Sequence, residues 1–109
     1  MLKRMKYIFP SGQLRIHPSG RATAFVGESL TMTCVYEGGA KLNVTWFNDV
    51  SEQLTSHGFV SSRRTFSNHH VHTTLQSRKE SLTISDTGSY YCIAWPFIRE
   101  IKLQVLTGW

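Results

Sequence analysis

Cys34 and Cys92 are the two cysteines of this chain; they enclose about half of its 109 residues, and each stands at the apolar parity of an alternating segment. Trp46 follows the first cysteine by twelve positions. Strands on opposite sheets of a β-sandwich bring their Cβ atoms within disulfide reach across a core roughly 10 Å thick, and a large ring beside the sulfurs fills the middle. Closing a loop of this length stabilises a fold by about 4 kcal/mol in the chain-entropy view. Two reduced thiols acting as small core hydrophobes are the other reading of the same pair.

The pattern around the cysteines is that of strands. Ser29 to Cys34 alternates strictly, with Leu30, Met32 and Cys34 on one face. Asn43 to Phe47 turns Val44 and Trp46 inward, and Ile101, Leu103 and Val105 share a parity near the end of the chain. Gly, Pro, Ser, Asn and Asp separate these segments, and no stretch sustains a helical repeat over three turns, so the domain is all-β. Ser89 to Trp95 and Glu100 to Leu106 are expected to form a terminal hairpin joined by Pro96 to Arg99. From His57 to Lys79 the spacing of Val60, Phe66, Val71 and Leu75 suits more than one register.

Size and charge bound the rest. At 40% hydrophobic and 17% charged, 109 residues suffice for one domain with a real core, and not for two. The formal charge of +5 includes Lys3, Arg4 and Lys6, so the remainder is only weakly basic. The start, Met1 to Lys6, resembles the charged end of a signal peptide, but only Tyr7, Ile8 and Phe9 follow before Pro10, too few for an apolar targeting segment. Residues 1–12 are therefore set aside as a flexible leader, with the domain expected over 13–109. No apolar run approaches the roughly 20 residues that span a bilayer, so membrane attachment is expected only through a segment absent from this chain.

Chemistry-bearing motifs are sparse. There is no nucleophile elbow, phosphate-binding glycine loop or convergent carboxylate pair, so catalysis is not expected. Arg63-Arg64 and Arg78-Lys79 are isolated doublets rather than a basic stripe, which argues against nucleic acid. His69, His70 and His72 cluster, and imidazoles ligate zinc. With no free cysteine and no framework to hold them, a solvated or pH-responsive edge accounts for them, and no metal or cofactor is expected.

Cys34, Trp46 and the string Asp86-Thr87-Gly88-Ser89-Tyr90-Tyr91-Cys92 resemble the immunoglobulin superfamily. The resemblance covers residues 13–109 and implies a two-sheet Greek-key sandwich with one inter-sheet disulfide between Cys34 and Cys92. It implies that Tyr90 forms the tyrosine corner and that Leu82 plugs the turn before it, while Leu30 and Trp46 lie in the core. It also implies that Asp86 pairs with Arg63 or Arg64. The last strand lacks the Phe-Gly-x-Gly bulge, and the spacing between the cysteines is shorter than in antigen-receptor variable regions. The chain therefore resembles a variable-type or intermediate-type receptor domain rather than an antibody domain or the modules of muscle proteins. The interval from Leu75 to Leu82 is long for the family, implying a bulged strand there.

A sandwich carries no chemistry of its own, so function is argued from its surface. If Tyr90, Cys92 and Ala94 point inward, Tyr91, Ile93 and Trp95 point outward, beside Thr45 and Phe47 of the neighbouring strand. Phe97 and Ile98 at the hairpin tip extend this into an aromatic face of the kind that partners cover. The opposite reading has Phe47 and Ile93 covered by the domain's own middle strands. Asn43-Val44-Thr45 is an N-glycosylation acceptor at an outward parity, and a glycan there would confine docking to the far end of the face or the hairpin tip. The expected role is the protein-recognition ectodomain of a single-pass cell-surface immune receptor or co-receptor. It would bind a protein ligand or counter-receptor through its front sheet and last hairpin loop. A homophilic adhesion domain forming a homodimer is one alternative, and an intracellular structural module, with reduced cysteines and a bare asparagine, is the other.

Overall fold

Alternation of apolar and polar side chains marks most of the eight strands in the computed structural model, which describes residues 12–108. They are β1 (Gly12–His17), β2 (Arg21–Phe25), β3 (Leu30–Gly38), β4 (Thr45–Asn48), β5 (Val60–Ser67), β6 (Val71–Lys79), β7 (Gly88–Ala94) and β8 (Phe97–Leu106). Single 3-10 turns at Leu54–His57 and Ile84–Asp86 interrupt the connections. The strands divide into two four-stranded sheets, ordered β1-β3-β6-β5 and β2-β8-β7-β4. The first is called here the back sheet and the second the front sheet.

Every ladder is antiparallel except that of β2 with β8, which is parallel. This exception comes from the break at Pro18-Ser19-Gly20, where Gly20 adopts a left-handed φ of 82° that costs glycine nothing. The chain leaves β3 on the back sheet there and joins β8 on the front one. The strand count differs from a variable-type domain, which adds two further strands beside β4. Among the described residues only an isolated bridge between Phe47 and Gln53 stands at that edge.

Inward parities meet in one core. Met32, Cys34 and Tyr36 of β3 face Trp46, Cys92, Ala94, Ile101 and Leu103 of the front sheet, all buried. Cys34 and Cys92 are joined by a disulfide, with Cα atoms 6.4 Å apart. The Trp46 indole lies within this core and donates from Nε1 to the Leu75 carbonyl oxygen at 3.3 Å, so its one polar atom is satisfied across the two sheets. Leu82 is fully buried, whereas Leu30 is half-buried and packs at the margin of the core.

Three local expectations are corrected. Strand β6 runs without a bulge, pairing residue for residue with β3 from Leu30–Lys79 to Gly38–Val71 and with β5 from Val60–Arg78 to Ser67–Val71. The extra length before Leu82 is taken up after Lys79 instead. The last hairpin turns at Trp95 and Pro96 alone, so β8 begins at Phe97 rather than at Glu100. The domain already includes Gly12, which pairs with Gly38, while the rest of the expected leader lies outside the described residues.

Candidate functional site

The outward face of the front sheet is assembled by register. Thr45, Ile93 and Ile98 stand side by side on β4, β7 and β8, and the next row holds Phe47, Tyr91 and Glu100. Ser89, Lys102 and Arg21 follow on β7, β8 and β2, so the face grades from apolar to charged along the strands. The Tyr91 hydroxyl donates to Glu100 Oε2 at 3.3 Å, tying the ring edge to the neighbouring strand. Ile98 is 44% exposed and Trp95, at the turn, 72%, while Phe47, Tyr91 and Ile93 are half-buried by one another. Strands β5 and β6 belong to the back sheet, so the domain's own middle strands do not cover this face.

Phe97 does not contribute to it. Because β8 starts at Phe97, that residue has the inward parity of Ile101, Leu103 and Val105, and its ring packs 6.2 Å from that of Tyr36. A connector of four residues had left its direction open; a two-residue turn fixes it. Glu100, Lys102 and Arg21 complete the face and were not singled out from sequence. Arg21 is a neighbour of Lys102 only because β2 pairs with β8 in parallel, which local alternation does not encode.

The structure corrects the partner of Asp86. Its Oδ1 accepts from Lys79 Nζ at 2.8 Å, and its Oδ2 accepts from the Thr83 backbone N–H at 2.8 Å. Arg63 lies opposite Leu75, in the middle of β5, and donates to the Val44 carbonyl oxygen at 2.7 Å, bridging the flank between the two sheets. Arg64 points to the other side of β5 and is exposed. The ammonium at the end of β6 is simply nearer to the β6–β7 connection than either guanidinium on β5.

The hydroxyl of Tyr90 donates to the backbone carbonyl of Asp86, closing the corner expected of it. Burial, followed by the negative charges of Asp86 and Asp49, pushes its phenol up to about 12. Next to this corner lies a cluster that the sequence reading missed. Asn48 Nδ2 contacts Glu52 Oε1 and His57 Nε2, each at 3.2 Å, and the imidazole lies 2.7 Å from Glu52. The Asn48 hydrogen bond, followed by His57, holds the Glu52 carboxyl below its ordinary value. These residues organise the exposed turn after β4, and only the Asn48-to-Glu52 spacing of a side-chain-stabilised turn hinted at it.

His70 sits in the β5–β6 turn beside Gly38, and His72 packs its ring 6.4 Å from Phe66 on the outer back sheet. No group of three potential ligands that could hold a metal occurs among the described residues. Asn43 precedes β4 and is exposed. It lies at the lip of a lateral groove between β4 and β5 that Gln53, Ser61 and Arg63 also line. Parity had suggested the front face for it; the chain has not yet entered the ladder at that point, and the residue stands at the side of the sandwich.

Comparison with curated proteins returns no match. Among solved structures, the chain is similar to one chain of "Crystal structure of Dpr2 Ig1-Ig2 in complex with DIP-Theta Ig1-Ig3", at TM-score 0.72 and 22% identity, covering 90% of this chain and 33% of that one. It is similar to the Down Syndrome Cell Adhesion Molecule in a structure of its N-terminal eight Ig domains, at TM-score 0.69 and 22% identity, over 88% of this chain and 15% of that one. It is also similar to an Ig-like domain of human Obscurin-like protein 1, at TM-score 0.67 and 15% identity, over 95% of both chains. These likenesses, all under 25% identity, concern the fold alone. The immunoglobulin domain family matches residues 13–96, so the buried disulfide, the indole beside it and the tyrosine corner belong to a chain that is a member of that family, one not known to be enzymatic.

Proposed function

We propose that this domain is an extracellular protein-recognition module, the ectodomain of a cell-surface receptor of the adhesion or immune kind, docking a protein through its front sheet. The observation that carries this reading is the contiguous apolar end of that sheet. Ile93, Ile98, Phe47 and Tyr91 stand in two adjacent rows near the turn that carries Trp95, with Ile98 and Trp95 open to solvent and the others half-buried. Aromatic and aliphatic anchors ringed by charge are the composition of an interface centre and its rim. The graded charge from Glu100 to Lys102 and Arg21 would set the partner's register.

An extracellular setting is supported by the disulfide, since such bonds persist in oxidising compartments. One of the solved structures to which the fold is similar is a complex of two proteins, Dpr2 Ig1-Ig2 and DIP-Theta Ig1-Ig3.

The test is a panel of extracellular immunoglobulin-family ectodomains, this domain included, probed by surface plasmon resonance. Wild type, Ile93→Arg on the front sheet and Gln76→Arg on the back sheet would be compared. The expected result is a partner whose affinity falls by about 30-fold or more in Ile93→Arg, as for a hot-spot loss, and is unchanged in Gln76→Arg. Binding that tolerates Ile93→Arg, or that fails in Gln76→Arg, overturns the assignment of the face. Self-binding would identify the homophilic case.

A further inference from the structure

We propose that Asn43 is an N-glycosylation site whose glycan covers the open flank between β4 and β5 and leaves the front sheet free for its partner. The proposal rests on the extracellular reading above, because the modifying enzyme works in the secretory pathway. Three observations carry it. Asn43-Val44-Thr45 has the acceptor sequence. Asn43 is exposed in the segment leading into β4, outside any ladder, and none of the described residues hydrogen-bonds its side-chain amide. It also opens onto a lateral groove of about 300 Å3, bounded by the edges of the two sheets.

That groove is suited to a sugar rather than to an apolar partner. Its walls carry Ser61, Thr55, Gln53 and the Arg63 guanidinium, all able to hydrogen-bond hydroxyl groups. Strand β5 is exposed along its whole length, and its outer edge presents unpaired backbone groups, as does most of β4. Uncovered edges are templates for unwanted strand pairing, and a bulky, hydrated chain beside them blocks it. The groove meets the front face only at Thr45, the β4 end of the Ile93 row, while Ile93, Ile98, Phe47 and Tyr91 are not part of its lining.

The chemistry is a group transfer without change of oxidation state. The Asn43 side-chain nitrogen bonds to C1 of an oligosaccharide carried on a lipid diphosphate. The C1–O bond to that diphosphate breaks, the lipid diphosphate leaves, and the amide proton passes to a carboxylate of the transferase.

The experiment expresses the chain in eukaryotic cells behind a cleavable secretion signal. The medium is analysed by intact mass before and after peptide-N-glycosidase, alongside Asn43→Gln, Thr45→Val and Thr45→Ser. The expected result is one N-glycan on wild type and on Thr45→Ser, conversion of Asn43 to Asp on its removal, and no glycan on Asn43→Gln or Thr45→Val. Trypsin cleavage after Arg63 and Arg64 should be severalfold slower in the glycosylated protein than in Asn43→Gln, with partner or antibody binding at the Ile93 face unchanged. Secreted, disulfide-bonded wild type without a glycan overturns the site. A glycan that leaves cleavage unchanged but blocks the Ile93 face overturns its placement. Retention of wild type inside the cell, with equally folded protein obtained from a reducing cytosol, overturns instead the extracellular reading beneath it.

Discussion

Lys79 and Asp86 form a 2.8 Å ion pair that joins the end of β6 to the turn before β7, with the carboxylate 8% and the lysine 20% exposed. The same carboxylate accepts the Thr83 backbone N–H, and the Lys79 ammonium lies 5.8 Å from the Phe59 ring centroid. Removing one partner leaves the other charged and largely dry, which is the costly way to break such a pair. Asp86→Ala should therefore lower stability by about 3 kcal/mol, and Lys79→Met by less, because methionine keeps the packing against Phe59. Arg64→Ala should stay within about 0.5 kcal/mol. Urea denaturation of the three variants checks the order; an Arg64 effect equal to that of Asp86 would restore the pairing expected from sequence.

Tyr90 sets the alkaline limit of the fold. Its phenol titrates near 12 in the folded state against about 10 in an unfolded chain. The native state thus holds the proton more tightly. The associated stability is fully present below pH 10 and is lost as pH rises from 10 to 12, amounting to about 3 kcal/mol at most. Absorbance titration should show a phenolate transition near pH 12 in wild type that is missing in Tyr90→Phe. That variant should lose about 1 kcal/mol at neutral pH, from the hydroxyl that bonds the Asp86 carbonyl.

Phe97 and Trp95 are two residues apart and should behave oppositely. Phe97 packs inward against Tyr36, so Phe97→Ala should cost roughly 2 to 3 kcal/mol, below the range for a fully buried ring because it is half-buried. Trp95 is 72% exposed, and Trp95→Ala should leave the melting temperature nearly unchanged while weakening partner binding. Thermal melts of both variants decide whether the hairpin turn has been placed correctly.

The covalent link across the sheets makes a fourth prediction. Replacing Cys34 and Cys92 by alanine should destabilise the domain by about 4 kcal/mol, and dithiothreitol should reproduce most of that loss in wild type. Alkylation of both sulfurs in native, unreduced protein would contradict the bond directly.

The inward set was legible in the sequence because a strand writes its burial into every second residue. Met32, Cys34, Trp46, Tyr90, Cys92 and Ile101 could be placed by parity alone. What was not legible depended on where a strand starts or which strand lies beside it. One shifted boundary turned Phe97 from the outer face to the inner one, where it packs half-buried at the margin of the core. A parallel pairing between β2 and β8, distant in the chain, put Arg21 beside Lys102. Lys79 was passed over for Asp86 because a flexible side chain at a strand end leaves no periodic trace, whereas the arginine doublet on β5 is conspicuous. The Asn48, Glu52 and His57 cluster is likewise a matter of turn geometry, invisible to alternation.

Strand β5 differs from its neighbours in having no buried side chain. Its inner face is built from hydroxyls and a guanidinium: Ser61 meets Ser77, Thr65 meets Thr73, and Arg63 reaches across to Val44. Water can replace each of those contacts at little loss, so this margin is zipped on rather than embedded. Under native conditions it should detach and reattach while the cystine-bound interior stays closed. Amides along Val60 to Ser67 would then trade their protons long before those of β3 and β7.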